Sequence, residues 1–298
     1  MIVGAVDLGT NTTRLLVAGV DDGRVEELHR ESRITRLGEG VAARGRLLPL
    51  PIARVRNVLT DYRRTAESLG AERTLLVATS AVRDAENGEA FLGEIEWSYG
   101  FTTRLLSGGE EAELTRRGVG ELGTATLLVD IGGGSTELVL GDFDTSLPLG
   151  SVRFTERYGE DVEALEAAAR ELLPELRPED AVGVAATITS LAALDLGLEE
   201  YDRARVHGHV LTRDGARAQL ERLAALPLEE RRCVPALEPD RAPVIVAGAA
   251  ILLAILDGYG LDSIRVSERD LLDGTALAAA ELPEPEEGAA PPGAYTCC

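Results

Sequence analysis

Apolar residues in the first third of the chain fall into short runs divided by small polar punctuation. Residues 2–8 (IVGAVDL) and 13–20 (TRLLVAGV) read as two buried strands joined by Gly9-Thr10-Asn11-Thr12, and 25–37 as a third. From Leu50 to Leu69 the period changes: Ile52, Val55, Val58, Leu59, Tyr62, Ala66 and Leu69 recur at helical spacing, opened by Pro51 and closed by Gly70. A strand over 73–78, a helix over 91–99, a strand over 102–106 and a helix from about Glu110 to Leu122 follow. The pattern then begins again. TLLVDIGGGSTELVLGDF (126–143) is an apolar run, three glycines and a second apolar run. Helices around 154–158 and 161–173, a strand over 181–186 and a helix over 188–194 come next. An amphipathic helix over 212–225, an apolar helix over 242–257, a strand over 263–267 and a helix over 271–281 complete the series. Such alternation predicts an α/β fold.

The restart is also visible residue by residue. VDLGTNTTRLLV (6–17) and VDIGGGSTELVL (129–140) match at an offset of 123 residues, Asp7 with Asp130, Gly9 with Gly132, Thr13 with Thr136 and Arg14 with Glu137. Each copy opens an α/β segment of over a hundred residues, so two related domains are expected, 1–123 and 124–281, with the last helix (about 271–281) free to pack back on the first. Their turns would face a shared cleft, the usual place for a ligand. The tail 282–298, LPEPEEGAAPPGAYTCC, is rich in Pro, Gly and Glu and is expected to be disordered.

A net charge of −21 opposes non-specific binding to nucleic acid or to an acidic membrane surface. All thirty basic residues are arginine. Without lysine, neither a P-loop nor a Schiff-base nucleophile can be built, whereas arginine suits bidentate phosphate contacts. Cys233, Cys297 and Cys298 make neither a disulfide framework nor a zinc site. The stretch MIVGAVDLG carries no basic leader, and the 242–256 apolar run is too short to span a bilayer, so a cytoplasmic protein is expected.

The candidate chemistry gathers at the turns. Three glycines accept positive φ and let backbone N–H groups converge on an anion. The acids on either side, Asp130 and Glu137, would repel that anion unless a divalent cation intervened. Taken alone the stretch is equally a plain Gly-rich hairpin; its echo at 6–17 favours the site. Glu110 and Glu111 sit at a loop-to-helix junction, where acids complement the helix dipole or activate a water. Arg83 follows a strand end and small polar residues, either a surface charge or a phosphate contact. His207 and His209 could share a strand face, but no third ligand accompanies them. GVGELG (118–123) precedes a strand where a dinucleotide fingerprint would follow one.

Taken together, DLGTNTTRLLV (7–17), RITRLGEGV (33–41), TSAVRDAENGEAF (79–91), LSGGEEAEL (106–114), LVDIGGGSTELVLG (128–141), LPLGSVRFTERY (147–158), HGHVLT (207–212), VIVAGAAIL (244–252) and VSERDLLDG (266–274) resemble the exopolyphosphatase/guanosine pentaphosphatase (Ppx/GppA) family in its short two-domain form. The resemblance implies two ribonuclease-H-like lobes of the actin-like ATPase superfamily with an interdomain cleft. It implies a metal-dependent phosphohydrolase acting on the terminal phosphoanhydride of polyphosphate or guanosine pentaphosphate (pppGpp), and leaves a homodimer open. Glu111 would be the general base, since the family's base directly precedes the alanine of its SGxxEA pattern. Asp130 and Glu137 would hold Mg²⁺ or Mn²⁺, or arrange metal and water. Gly132, Gly133, Gly134 and Ser135 would cradle phosphate, with Thr10, Asn11 and Thr12 from the first lobe, and Arg83 would neutralise phosphoryl oxygens.

Three departures bear on substrate. Ala185-Ala186-Thr187 stands where the family usually has Gly-Gly-Thr, Asp270-Leu271-Leu272-Asp273-Gly274 replaces Gly-Leu-Arg-Glu-Gly, and both lysine and the long members' helical extension are missing. Short polyphosphate is therefore the expected substrate. An actin-like or sugar-kinase-like ATP-using protein and a catalytically weak phosphate or nucleotide sensor are the competing classes.

Overall fold

The computed structural model describes residues 1–283; the tail expected to be disordered lies, beyond Pro283, outside the described residues. The chain divides into two compact units, one made of Met1–Gly120 with the helix that starts at Leu271, the other of Glu121–Asp270.

The first unit is built on a five-stranded sheet of β1 (Ile2–Leu8), β2 (Thr12–Asp21), β3 (Arg24–Ile34), β4 (Arg73–Ala78) and β5 (Thr102–Leu105), in the order β3-β2-β1-β4-β5. β1, β2 and β3 pair antiparallel, while β4 and β5 run parallel to β1. Side chains of a strand alternate between faces, and both faces here are apolar. Val6, Leu8, Leu15, Val17 and Leu76 pack with Val55, Leu59, Tyr62 and Ile95, which come from helices Pro49–Ser68 and Gly88–Tyr99. Val3, Ala5, Leu16, Ala18 and Val77 pack on the other face with Leu114, Leu272 and Ala276, from helices Gly108–Val119 and Leu271–Ala280. Asp7 and Arg14, in phase with Ala5 and Leu16, share that second face. β3 stops at Ile34, short of the expected 37, because the N–H groups of Thr35, Arg36 and Gly38 turn back onto the carbonyls of Asn11 and Thr10. Tyr62 ties the same region down: its buried hydroxyl donates to the Thr13 carbonyl at 2.8 Å, and burial pushes its pKa up.

The second unit has a six-stranded sheet of β6 (Thr126–Ile131), β7 (Thr136–Leu140), β8 (Phe143–Leu147), β9 (Asp180–Val184), β10 (Val210–Thr212) and β11 (Ser263–Val266), in the order β10-β11-β9-β6-β7-β8. Read from the other edge, β8-β7-β6-β9-β11 repeats the first sheet strand for strand, with the same antiparallel triple and the same parallel pair. This is the ribonuclease-H-like arrangement twice over, with β10 added antiparallel at one edge. Its core centres on helix Ile245–Tyr259, apolar all round and buried from Ile245 to Leu256. At Gly248 that helix comes so close to Thr187 that a Cβ would lie 2.6 Å from its methyl group. Among the described residues no helix is long and apolar enough to cross a membrane.

Candidate active site

In the first unit the β1–β2 turn is closed by the Gly9 N–H on the Thr12 carbonyl at 3.0 Å. Thr10 and Asn11 are buried in it, and Thr12 begins β2. Segment 35–38 holds the turn from outside. Gly38 has no room for a side chain, since a Cβ would lie 2.2 Å from Thr10 Cγ2. The Thr10 and Asn11 carbonyls are thus engaged, but the Asn11 side-chain Nδ2 is buried with no acceptor among the described residues. A buried donor in that state costs about 1–3 kcal/mol unless a ligand accepts from it.

Arg83 ends the short helix Ser80–Arg83 that follows β4. Its Nη1 donates to the Leu106 carbonyl at 2.7 Å and to Glu111 Oε2 at 3.2 Å. Among the described residues its Nε and Nη2 have no acceptor. The two acids at the next helix start separate cleanly. Ser107 caps that helix: its hydroxyl accepts the Glu110 N–H, and the Glu110 carboxylate accepts the Ser107 N–H at 2.8 Å, a reciprocal capping box. Hydrogen bonds from the Ser107 hydroxyl and then its backbone hold the Glu110 carboxyl below the usual glutamate range. Glu110 is therefore a structural cap at the surface. Glu111, one residue on, is 6% exposed and sits against the Arg83 guanidinium.

The second unit repeats the turn. The Gly132 N–H meets the Ser135 carbonyl at 2.9 Å, the counterpart of Gly9 on Thr12. None of Gly132, Gly133 and Gly134 takes positive φ, so left-handed freedom is not what glycine supplies here. Close approach is. The carbonyls of Gly132 and Gly133 accept from the N–H groups of Ser151, Val152 and Arg153 at 2.9–3.1 Å, and Gly134 O accepts from Arg153 Nε at 2.7 Å. Gly150, at the start of helix Ser151–Tyr158, must lack a side chain, because a Cβ would lie 2.3 Å from Gly133 O. With the carbonyls turned onto that helix, the N–H groups of Gly133, Gly134 and Ser135 have no acceptor among the described residues. Such a run of backbone donors is available to an anion.

Asp130 and Glu137 flank this turn as direct partners across β6 and β7, both buried. Ser146 of β8 lies opposite Glu137 and donates to its Oε1 at 2.7 Å. Two neighbouring carboxylates are what Mg²⁺ takes from a protein, with waters and substrate phosphates filling its other positions; the pair fits such an ion. Among the described residues no group of three or more His, Cys, Asp and Glu gathers as a metal cage.

Behind β6 the chain does something the sequence did not announce. The expected strand to 186 ends at Val184, and helix Ala185–Asp195 begins with Ala185 at φ +66°. The left-handed region suits the glycine the family usually has there and strains an alanine. The histidines have structural partners: His209 Nε2 is 2.8 Å from Asp195 Oδ2, and His207 Nδ1 accepts the Glu268 N–H. Sequence reasoning assigned no role to Ser146 or Arg153. Gly150, which permits the contact with the glycine turn, was the one signal available in LPLGSVRFTERY.

Within the first unit, then, Glu111 and Arg83 meet, and Thr10, Asn11 and Thr12 form one pinned turn. Within the second, Asp130, Glu137 and residues 132–135 form one continuous hairpin. The duplicated sheets define a member of the ribonuclease-H-like fold, with the glycine turn and the adjoining acid pair as its candidate site. The sequence profile described as the Ppx/GppA phosphatase family matches residues 16–281, and the chain belongs to that family. It is similar to exopolyphosphatase 2 of Mycobacterium tuberculosis, 38% identical over 93% of this chain and 98% of that one. The guanosine-5'-triphosphate,3'-diphosphate pyrophosphatase of Vibrio vulnificus is 29% identical over 92% of this chain but only 58% of its own length. The crystal structure of the Aquifex aeolicus member of the Ppx/GppA family superposes with a TM-score of 0.76 at 31% identity, covering 94% of this chain and 97% of that one.

Proposed function

We propose that this protein is a divalent-metal-dependent exopolyphosphatase, releasing terminal orthophosphate from inorganic polyphosphate by attack of a water activated by Glu111. The observation that carries the reading is the second hairpin, where two buried carboxylates adjoin a turn presenting three N–H donors. The mycobacterial exopolyphosphatase, similar over nearly its whole length, supports polyphosphate as the substrate. Short chains are the preferred form in this reading. Ala185 and Ala186 add methyl groups where the family's glycines would let a chain approach, and Leu272, in place of an arginine, is buried in the core.

Asp130 and Glu137 would hold the cation, which supplies positive charge against the phosphate oxygens. On the second unit the N–H groups of Gly133, Gly134 and Ser135 would hold a phosphate, and on the first Asn11 Nδ2 and the hydroxyls of Thr10 and Thr12 are the groups proposed to do so. Glu111 takes a proton from the attacking water as the new O–P bond forms. The bridging P–O bond breaks, and the shortened chain leaves with the electron pair. Arg83 holds Glu111 in place through Nη1 and offers Nε and Nη2 to the phosphoryl oxygens as their charge is redistributed.

Phosphate release from polyphosphate, pppGpp and ATP, each with Mg²⁺ and with chelator, tests the reading. Polyphosphate should be turned over, and chelator should stop it. Glu111→Gln should lower kcat by about 10³-fold or more while substrate still binds. Faster release from pppGpp would favour the alternative that the Vibrio relative suggests. Turnover of ATP alone, or binding without turnover, would sink the proposal, and faster turnover of chains of hundreds than of short oligomers would remove the chain-length preference.

A further inference from the structure

We propose that Gly274, remote from the chemistry, is a positioning residue that sets where Glu111 stands; the inference rests on the reading of Glu111 as the general base. Glu111 belongs to the first turn of helix Gly108–Val119, whose buried face continues through Leu114, Thr115 and Gly118. Helix Leu271–Ala280 lies along that face, and at Gly274 the two backbones touch. A Cβ on residue 274 would fall 1.8 Å from the Leu114 carbonyl oxygen, 2.7 Å from its carbon and 3.2 Å from the Gly118 nitrogen. These are backbone atoms of a regular helix, so no rotamer change can relieve the contact. Any side chain at 274 must drive the two helices apart by more than about 1 Å, the gap between that contact and the shortest a Cβ tolerates.

The rest of the environment directs that push toward the active end. The Arg117 guanidinium grips Glu281 through two hydrogen bonds of 2.6 and 3.2 Å, fixing the far end of the helix pair. Helix Leu271–Ala280 is itself anchored to the sheet beside Gly274, where Asp273 Oδ2 meets Arg30 Nη2 of β3 at 2.9 Å. Leu114, the residue struck, is one turn from Glu111. A carboxylate held 3.2 Å from Arg83 by this stack of backbone contacts cannot keep that distance if the helix tilts. Misplacing a catalytic group by about 1 Å costs on the order of 100-fold in rate.

Gly274→Ala, measured per folded molecule, should lower kcat on short polyphosphate by about 10- to 100-fold with KM within about threefold of the parent. Asp273→Asn, isosteric and free of steric insertion, should shift kcat the same way by a few-fold, and it decides the matter if the alanine variant does not fold. The double variant with Glu111→Gln distinguishes positioning from general damage. If Gly274 acts through Glu111, Gly274→Ala should cost less than about twofold in the Glu111→Gln background, since coupled residues are not additive. Parent-like kcat in the first two variants, or an undiminished further loss in the double variant, would overturn the proposal. Full activity of Glu111→Gln alone would instead overturn the base assignment, so the two failures are distinguishable.

Discussion

The β1–β2 and β6–β7 hairpins are copies of one turn with opposite electrostatics. Both close with the same hydrogen bond, Gly9 to Thr12 and Gly132 to Ser135. In both, an aspartate faces a residue directly across the pair, Asp7 opposite Arg14 and Asp130 opposite Glu137. In the first, Arg14 Nε and Nη2 reach Asp7 Oδ2 at 2.8 Å, an ion pair made within the hairpin. In the second, the residue across the pair is another acid. One substitution at an otherwise preserved position thus separates a structural ion pair from the acid pair proposed above to hold a cation. A duplicated fold can thus keep its backbone turn while the charged residues across it diverge.

Converting the second hairpin into the first is the most severe test. Glu137→Arg should give Asp130 the cross-strand ion pair that Asp7 makes with Arg14 in the first hairpin, leaving the fold intact by circular dichroism. Phosphate release should fall by about 10³-fold or more, as when a principal electrostatic element is removed. Substantial residual activity would mean that the two hairpins do not differ in function. Gly150→Ala attacks the other special feature of the second copy. Its Cβ would meet Gly133 O at 2.3 Å and displace the glycine turn. KM should then rise by about 10-fold or more with the unit still folded, the loss expected for one hydrogen bond to a charged group; an unchanged KM would remove the turn from substrate binding. Asn11→Ala asks what the first copy contributes. Removing a donor that serves no described residue should weaken substrate binding by about 1.5–3 kcal/mol, the range for a hydrogen bond to a charged group, and leave thermal stability unchanged or improved. A lower Tm with unaltered KM would make Asn11 a structural residue.

Much of this comparison was legible in the chain. Runs of apolar residues broken by small polar turns gave both hairpins and most strands and helices, and the 123-residue echo gave the duplication. Three things were not legible, each because its cause is non-local. β8 (FDTSL) is a short, polar edge strand with no apolar alternation to mark it. The Arg153 contact with Gly134 spans 19 residues and depends on Gly150 yielding space. Nothing local predicts left-handed Ala185, because alanine is a poor occupant of that conformation. The Glu110–Glu111 distinction was half available: Ser107 three residues before Glu110 is a capping-box signature, whereas the burial of Glu111 against Arg83 appears only in the fold.

The smaller effects sharpen the comparison at its margins. The first unit makes its turn after β4 without positive φ, whereas the second places Ala185 at +66°. Ala185→Gly relieves strain of about 1–2 kcal/mol and gives back about 0.4–1 kcal/mol through the unfolded chain. A net gain of about 0.5–1 kcal/mol should appear as a higher Tm, and a lower one would show that the neighbouring packing, rather than φ, governs this turn. Smallest is Glu110→Ala, which should remove about 0.5 kcal/mol at pH 7 for an exposed cap with kcat within about twofold of the parent. Because the folded Glu110 pKa lies below its unfolded value, that stability is fully present above the unfolded value and is lost as pH falls through the folded one. The difference between parent and variant should therefore shrink in acid. A large loss of kcat would reassign the base to Glu110.

Mn²⁺ binding, followed by electron paramagnetic resonance without substrate, tests the central contrast most directly. The account predicts binding in the parent, its loss in Glu137→Gln and its retention in Asp7→Asn, since only the second hairpin pairs acid with acid. Binding that survives Glu137→Gln, or that disappears with Asp7→Asn, would contradict it.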